Sequence, residues 1–243
     1  MRILLMILFF TIITSPAHAV VETSYTHHKD RISTPWYIAN NAQTKAADLA
    51  FIKHMRPHHA GALSMSEAYL TDPAAQNVRL KQLARGIIHN QTFEIAVMDM
   101  IEDYQKRSKA DGSIEQVAEK DMVQKLVFWR APLPSVLDRS YGDQGVSQSD
   151  VAFAKAMIIH HEGALVMAQG YLDKAADNGY LERLCLDILV DQANEIAYMH
   201  SIIDEYAGDP DDVVITADMI HGMEGMEHML PGHEDNHSAH HMH

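Results

Sequence analysis

Apolar residues recur at helical spacing along most of the chain, and this pattern predicts long amphipathic helices. The clearest run is residues 74–108, whose apolar positions follow one another at helical intervals. A preceding helix begins at a cap at Asn41 or Thr44 and runs to about Leu70. No stretch has the alternation of a strand, so the pattern predicts an all-α protein. The apolar positions of the clearest run are Leu80, Leu83, Ile87, Ile95, Met98 and Ile101.

Most of the chain is a duplication. Residues 51–70 return as residues 153–172 with 11 of 20 positions identical. The pattern Gln91-x-x-Glu94-Ile-Ala-x-Met98 returns as Gln192-x-x-Glu195-Ile-Ala-x-Met199. Each copy therefore predicts a helical hairpin, and the two together predict a ferritin-like four-helix bundle with a flexible C-terminal tail. One bundle and two separate half-bundles both fit the pattern.

The boundaries follow from breaker residues and composition. Residues 44–108 form the first hairpin and residues 150–208 the second, with its first helix ending at Asn178-Gly179 and its second spanning residues 180–206. A linker at residues 109–149 contains several prolines and glycines after a short helix at about 113–128. Residues 20–43 are an irregular lead-in, and residues 209–243 are a Met/His-rich tail.

The first nineteen residues predict a secretory signal peptide. A positive n-region is followed by a short apolar run and the small-x-small site Ala17-His18-Ala19. The expected location is therefore periplasmic or secreted. No later stretch is expected to cross a membrane.

Charge and cysteine content exclude several classes of function. The formal net charge of −14 makes the chain a poor nucleic-acid binder. Its one cysteine, Cys185, cannot form an internal disulfide or a multi-thiolate zinc or iron–sulfur site. A metal site in this chain must therefore use histidine, methionine and carboxylates.

The duplicated segment places two histidines and two methionines on one helix face. At about 100° per residue, the motif Met-x-x-His-His with its following Met falls within an arc of roughly 120°. Thioether and imidazole together suit copper, as Cu(I) or Cu(II). The alternative is that methionine fills the core and histidine is hydrogen-bonded there. The candidate metal ligands of the two copies are Met55, His58, His59, Met65, Glu94, Met98, Met157, His160, His161, Met167, Glu195 and Met199.

The two glutamates on the second helices have two possible roles. Glu94 and Glu195 face the histidines of their own hairpin in an antiparallel pairing. Each is either a ligand itself or a hydrogen-bonding partner that orients a ligating imidazole. The sequence leaves both roles open.

The C-terminal tail is a second candidate metal-binding region. From Met219 onward it holds five Met and seven His in twenty-five residues, and it has no hydrophobic periodicity. A short His-rich tract is a compositional signal for metal binding, with Cu(I) expected at the methionines and Cu(II), nickel or zinc at the histidines. The candidate tail ligands are His221, Met223, Met226, His228, Met229, His233 and His237.

The repeated His-His pair followed by Gln-x-x-Glu-Ile-x-x-Met resembles the bacterial domain-of-unknown-function 305 family, over residues 45–105 and 150–206. The resemblance implies an exported, helical, ferritin-like protein, and some members bind copper in copper resistance. One departure is Pro57, which stands where the second copy has Ile159. Because proline kinks a helix, the two metal faces are expected to differ.

These observations predict a copper-binding protein that is not an enzyme and that sequesters copper or hands it on. Its expected partners are copper ions and a periplasmic copper donor or acceptor, and its oligomeric state is open. One alternative is a ferritin-like metal oxidase, cuprous or diiron. Diiron sites need Glu-x-x-His on core helices, and the chain has this only at Glu234-x-x-His237. The other alternative is a structural bundle that binds metal only through its tail.

Overall fold

The computed structural model describes residues 37–116, 130–135, 145–174, 177–223 and 226. Four long helices dominate these ranges, and two short 3-10 turns follow them at Pro210–Asp212 and Ala217–Met219. The helices are α1 (Ala42–Thr71), α2 (Val78–Arg107), α3 (Gln148–Leu172) and α4 (Gly179–Ile203). The predicted all-α class is confirmed.

Side-chain caps fix where the helices begin. Asn41 accepts a hydrogen bond from the backbone N–H of Thr44 at the start of α1, as predicted. The helix α2 begins at Val78 instead of residue 74, because Asn77 is its cap. The predicted end of α3 at Asn178 is wrong, because this asparagine caps the start of α4 and α3 ends six residues earlier.

Two three-residue strands precede and follow the first hairpin. Strand β1 (Tyr37–Ala39) pairs antiparallel with β2 (Ile114–Gln116). The predictions of no strand, of an irregular lead-in through this stretch and of a helix starting near residue 113 are therefore wrong at these positions. Three residues are too few to show an alternating pattern. The remainder of that predicted helix, residues 117–129, lies outside the described residues.

The two hairpins form one bundle with a pseudo-twofold axis. Helix α1 packs on α2, α3 packs on α4, and the hairpins meet through α1 and α3. The ring of Phe51 lies 5.0 Å from that of Tyr171, and the equivalent pair Phe153 and Tyr69 lies 4.1 Å apart. Because the start of each helix meets the end of the other, α1 and α3 are antiparallel and cross near their middles.

Buried aspartates repeat this reciprocal arrangement. The Tyr171 hydroxyl donates to Asp48 at 2.8 Å, and the Tyr69 hydroxyl donates to Asp150 at 2.6 Å. Each bond joins the first helix of one hairpin to the first helix of the other. Equivalent residues of the two sequence copies therefore make equivalent contacts in the structure.

Helix α3 is long and apolar enough, by composition, to cross a membrane. The expectation that no stretch after the signal peptide has this composition is therefore wrong. Its most apolar window is 61% buried inside the bundle, where it contributes Phe153, Met157 and Ala164 to the core. Packing in the protein core accounts for its apolar character.

Pro57 lies inside α1 without ending it, and the helix continues to Thr71. It stands directly before His58, near the crossing of α1 and α3.

Candidate metal centre

The four histidines of the repeated motif form a row where α1 crosses α3. Their side chains are at most 1% exposed. The rings of His58 and His160 have their centroids 3.7 Å apart with their planes tilted by 33°, and His59 and His161 lie 6.3 and 6.0 Å beyond them. Adjacent helical residues point about 100° apart. In each copy the first histidine therefore faces the other hairpin, and the second faces the second helix of its own hairpin.

Each outer histidine is paired with the glutamate of its own hairpin. His59 Nε2 lies 2.7 Å from Glu94 Oε2, and His161 Nε2 lies 2.7 Å from Glu195 Oε2. Both Nδ1 atoms are buried and have no hydrogen-bond partner among the described residues. A carboxylate bound to one ring nitrogen is the usual support for an imidazole that ligates metal through the other. This arrangement favours the orienting role for both glutamates.

The inner histidines differ from each other. His160 Nε2 donates to the backbone carbonyl of His58 at 2.9 Å, which leaves its Nδ1 without a partner in the described part of the chain. Both ring nitrogens of His58 are buried and unpartnered within the same ranges. A buried polar atom without a partner costs roughly 1–3 kcal/mol. Five such nitrogens in one row are therefore expensive for packing alone and suited to binding a ligand.

Three of the four histidines are held in the neutral form by burial. Burial lowers the pKa of His58 and of His160 well below the usual value, and the neighbouring imidazoles lower it further. Burial lowers the pKa of His161 to about 3. The neutral imidazole is the form that binds metal, so these three rings need not lose a proton to do so at neutral pH.

The two glutamates carry different charge. Burial would raise the pKa of Glu94, but hydrogen bonds and charge from His59 and Arg130 lower it below its ordinary value. Arg130 Nη1 lies 2.8 Å from Glu94 Oε1. Burial, and then the charge of Glu94, raises the pKa of Glu195 to about 8. The guanidinium therefore distinguishes two sites that the sequence makes alike.

The predicted methionines lie in two clusters of the core, one toward each end of the bundle. Met55 precedes the histidine row along α1 and Met65 follows it, and both are buried. The duplication relates the members of one cluster to those of the other, and the half-buried Met167 packs against both. One cluster contains Met55 and Met98, and the other contains Met65, Met157 and Met199.

Among the residues that the structure describes, no three His, Cys, Asp or Glu side chains are grouped to hold one ion. Thioethers are soft donors that suit Cu(I), and several methionines of the repeated motif are buried in the same core. The buried unpartnered imidazoles and the nearby methionines fit that donor set. The structural alternative predicts that all four histidines are buried and hydrogen-bonded. His59, His161 and His160 each make one such bond, whereas His58 makes none among the described residues.

The first part of the tail is packed on the bundle. Ile220, Met223 and Met226 are at most 8% exposed and join the core cluster that contains Met65. The exposed His221 has its Nδ1 2.6 Å from the hydroxyl of Ser64. The expectation of a flexible tail from Met219 onward is therefore wrong for this part, because its apolar side chains are buried. The candidates His228, Met229, His233 and His237 lie outside the described residues.

Sequence reasoning missed residues of two kinds. Asp48 and Asp150 are at most 1% exposed, and both accept interhelical hydrogen bonds. They occupy equivalent positions three residues upstream of the aligned repeat, so extending the alignment would have found them. Arg130 lies in the predicted linker, outside the duplication, and no pattern there indicates its role.

Solved structures similar to this chain include two of CopM and one of a DUF305 fragment from Deinococcus radiodurans. CopM in the Ag-bound form (by soaking) is 27% identical, with a TM-score of 0.47. CopM in the Cu(I)-bound form is 29% identical, with a TM-score of 0.46. In both comparisons the match covers 66% of this chain and 98% of that chain. The Deinococcus fragment is 23% identical with a TM-score of 0.44, over 65% of this chain and 95% of that chain.

No curated protein matches this chain. The model of the Domain of unknown function (DUF305) family matches residues 48–203 and again residues 150–241. The first match alone spans more than half of the chain and both helical hairpins. This protein therefore belongs to the DUF305 family.

Proposed function

We propose that this protein is an exported copper-binding protein that sequesters copper or hands it on, and so contributes to copper resistance or homeostasis. The observation that supports this most is the row of four buried histidines, which presents five unpartnered ring nitrogens within the described chain. A buried thioether cluster lies on each side of the row, toward each end of the bundle. Soft sulfur and neutral imidazole together form a donor set for Cu(I).

The histidines and the glutamates of each hairpin have separate roles. His59 and His161 bind through Nδ1, since their Nε2 atoms face glutamates. Glu94 and Glu195 orient those rings and do not bind the ion. Loss of such an orienting partner typically lowers metal affinity about 10- to 100-fold.

The tail has a different part in this proposal. Residues 227–243 carry histidines and methionines without hydrophobic periodicity, so their binding is exchangeable and includes Cu(II), nickel or zinc. The tail captures ions or passes them to a copper donor or acceptor protein, whereas the bundle retains Cu(I).

An anaerobic Cu(I) competition titration against a chromogenic chelator tests the proposal. It compares the chain from Val20 to the C-terminus, a form ending at Met226, and the long form carrying His58→Ala and His160→Ala. We expect the form ending at Met226 to keep tight binding and the double variant to lose it. If all tight binding is lost with residues 227–243, the bundle is a scaffold and the histidine row is structural.

The matched control for the double variant is His89→Ala together with His200→Ala. These histidines lie on α2 and α4 and are not among the candidate ligands. We expect this control to bind Cu(I) as the unmodified chain does. An equal loss in both double variants would indicate general damage to the bundle.

Export and the lack of turnover are further parts of the proposal. N-terminal sequencing of the protein from a periplasmic fraction tests export, and we expect the mature chain to begin near Val20. Oxygen consumption by the Cu(I)-loaded protein tests turnover. If the loaded protein consumes oxygen at a sustained rate that exceeds the rate of a Cu(I)–chelator solution without protein, the oxidase alternative is favoured.

A further inference from the structure

Residues 220–223 lie across α1 and α3 near the crossing of these helices, and we call this segment the strap. A methyl group on Gly61 would stand 2.4 Å from the carbonyl oxygen of His221. A methyl group on Gly222 would stand 2.6 Å from the carbonyl oxygen of Pro57. Gly222 also has a φ of +73°, which glycine adopts without strain. Backbone therefore packs directly on backbone, with glycine on both sides of the contact.

Polar contacts hold the strap as well. The backbone N–H of His221 donates to the Met65 sulfur at 3.4 Å, and the His221 ring contacts Ser64. Ile220 and Met223 on either side are 4% exposed. The strap is therefore held by packing and by hydrogen bonds at one defined place on the bundle.

The strap brings a thioether to the histidine row. A methyl group on Gly163 would lie 3.0 Å from His58 Nε2, 3.3 Å from the Met223 methyl carbon and 3.5 Å from the Met223 sulfur. The imidazole nitrogen and the thioether thus border the same small volume beside α3. The glycine at position 163 leaves that volume free of a side chain.

The nitrogen that faces this volume has no other role among the described residues. His58 Nε2 is buried and makes no hydrogen bond there. We propose that His58 Nε2 and the Met223 sulfur are donors to one Cu(I) ion, so that the strap completes a copper site on the first copy. This inference rests on the proposed copper function and specifies two donors of one ion.

The second copy lacks the same arrangement. His160, the equivalent of His58, has its Nε2 bonded to the His58 carbonyl. Gly61, the equivalent of Gly163, faces the strap backbone instead of a thioether. The strap therefore breaks the pseudo-twofold symmetry and makes the first copy's inner histidine the one with a sulfur partner.

The competing interpretation is that Met223 only fills a gap in the core, as methionine often does. Leucine has a similar volume, so Met223→Leu keeps the packing and removes the sulfur. Met219→Leu is the matched control, because Met219 packs against the same cluster and is not a candidate ligand. Gly163→Ala is a third variant, which keeps every donor and places a methyl group between the two.

The experiment uses the full chain with methionine labelled by carbon-13 at the methyl group, titrated anaerobically with Cu(I) and, separately, with Ag(I) as a soft ion without redox chemistry. We expect the Met223 methyl signal, identified by its loss in Met223→Leu, to shift on ion binding. We expect His58→Ala to abolish this shift and His160→Ala to retain it. Circular dichroism checks that each variant keeps its helix content.

The affinity of each variant separates the outcomes. We expect Met223→Leu and Gly163→Ala to weaken Cu(I) binding at this site at least about tenfold, since loss of even an orienting group costs that much. Met219→Leu is expected to stay within about twofold of the unmodified chain, as for a volume-conserving change away from the ion. Unchanged affinity in Met223→Leu, or a Met223 signal that stays fixed while other methionines shift, overturns the inference and leaves the copper function standing. Absence of Cu(I) binding by the unmodified chain overturns both.

Discussion

The two copies of the hairpin have nearly the same motif and different surroundings. In the first copy Glu94 faces Arg130, and the inner histidine borders the same small volume beside Gly163 as the Met223 thioether. In the second copy the carboxyl of Glu195 has its pKa raised to about 8, and the inner histidine bonds to a backbone carbonyl. Both distinguishing groups come from segments outside the duplication. Duplication therefore supplied two equal sets of donors, and residues of the linker and the tail gave the two sets different surroundings.

The largest expected effect concerns the two glutamates in the metal-free protein. Because the pKa of Glu195 is about 8 when folded and 4.5 in its ordinary state, its protonated form stabilises the fold. This contribution is fully present below pH 4.5 and is lost as the pH rises through 8, by about 5 kcal/mol at most. The free energy of unfolding in urea, measured from pH 4.5 to 9, should therefore fall in the unmodified chain relative to Glu195→Gln.

Glu94→Gln is the matched variant of this prediction and has the opposite sign. The folded pKa of Glu94 is lowered by His59 and Arg130, against the effect of burial. The contribution of the Glu94 carboxylate to the free energy of unfolding is present above the ordinary carboxyl pKa. It is lost as the pH falls through the pKa that Glu94 has in the folded protein. The same pH profile for both variants would show that the two copies do not differ in charge.

The next effect concerns Arg130, which contacts Glu94, Asp187 and Asp191. Replacing it by methionine leaves a buried carboxylate without its counter-charge and should destabilise the metal-free protein by about 3 kcal/mol. Adding Glu94→Gln to Arg130→Met should recover part of that loss. Chemical denaturation of the two single variants and the double variant measures the coupling. Simple additivity would argue against the ion pair.

The reciprocal tyrosines should show a smaller difference between the copies. Tyr171→Phe removes one of three side-chain donors to Asp48 and should cost about 2 kcal/mol, as for hydrogen bonds to charged groups. Tyr69→Phe should cost about 1 kcal/mol. The reason is that Asp150 also accepts backbone N–H groups from Gln76 and Asn77. Thermal unfolding of the two variants tests the order, and a larger cost for Tyr69→Phe would contradict it.

The smallest effect on global stability should come from the strap. Gly222→Ala adds a methyl group against the Pro57 carbonyl at a positive φ, so the strap should leave the bundle while the four helices stay folded. Gly112→Ala is the control, because its φ is +79° and nothing lies near the added methyl group. Limited proteolysis should cut near residue 220 faster in Gly222→Ala only. Equal protection in both would show that the strap contact is not specific.

The helices were predictable because the capping residues, the helical periodicity and the sequence repeat indicated the same elements. Asn41 caps a helix where predicted, and the duplicated motif placed His58 and His160 at equivalent positions. The predicted start of α2 at residue 74 is four residues too early, because Asn77 caps this helix. The short strands escaped prediction because three residues carry too little pattern.

The site was predictable only in its donor types. Helical periodicity shows that two histidines share a face with methionines, and spacing shows that a glutamate faces the same way. Neither can show that His59 turns its Nε2 to Glu94, because ring orientation depends on packing across the hairpin. The antiparallel crossing that places His58 against His160 likewise joins residues from different hairpins.

The sequence by itself determined the helices, the duplication and a donor set of imidazole and thioether, because these follow from local propensity and from spacing along one chain. Only the tertiary structure decided which donors meet. Arg130 reaches Glu94, and Met223 reaches the small volume beside Gly163 that His58 also borders, although these segments lie far apart in sequence. Such arrangements depend on the complete packing of the bundle, and the glycines at 61, 163 and 222 permit the second one by leaving space for the strap. The asymmetry between the two copies is therefore a property of the fold and not of the repeated motif.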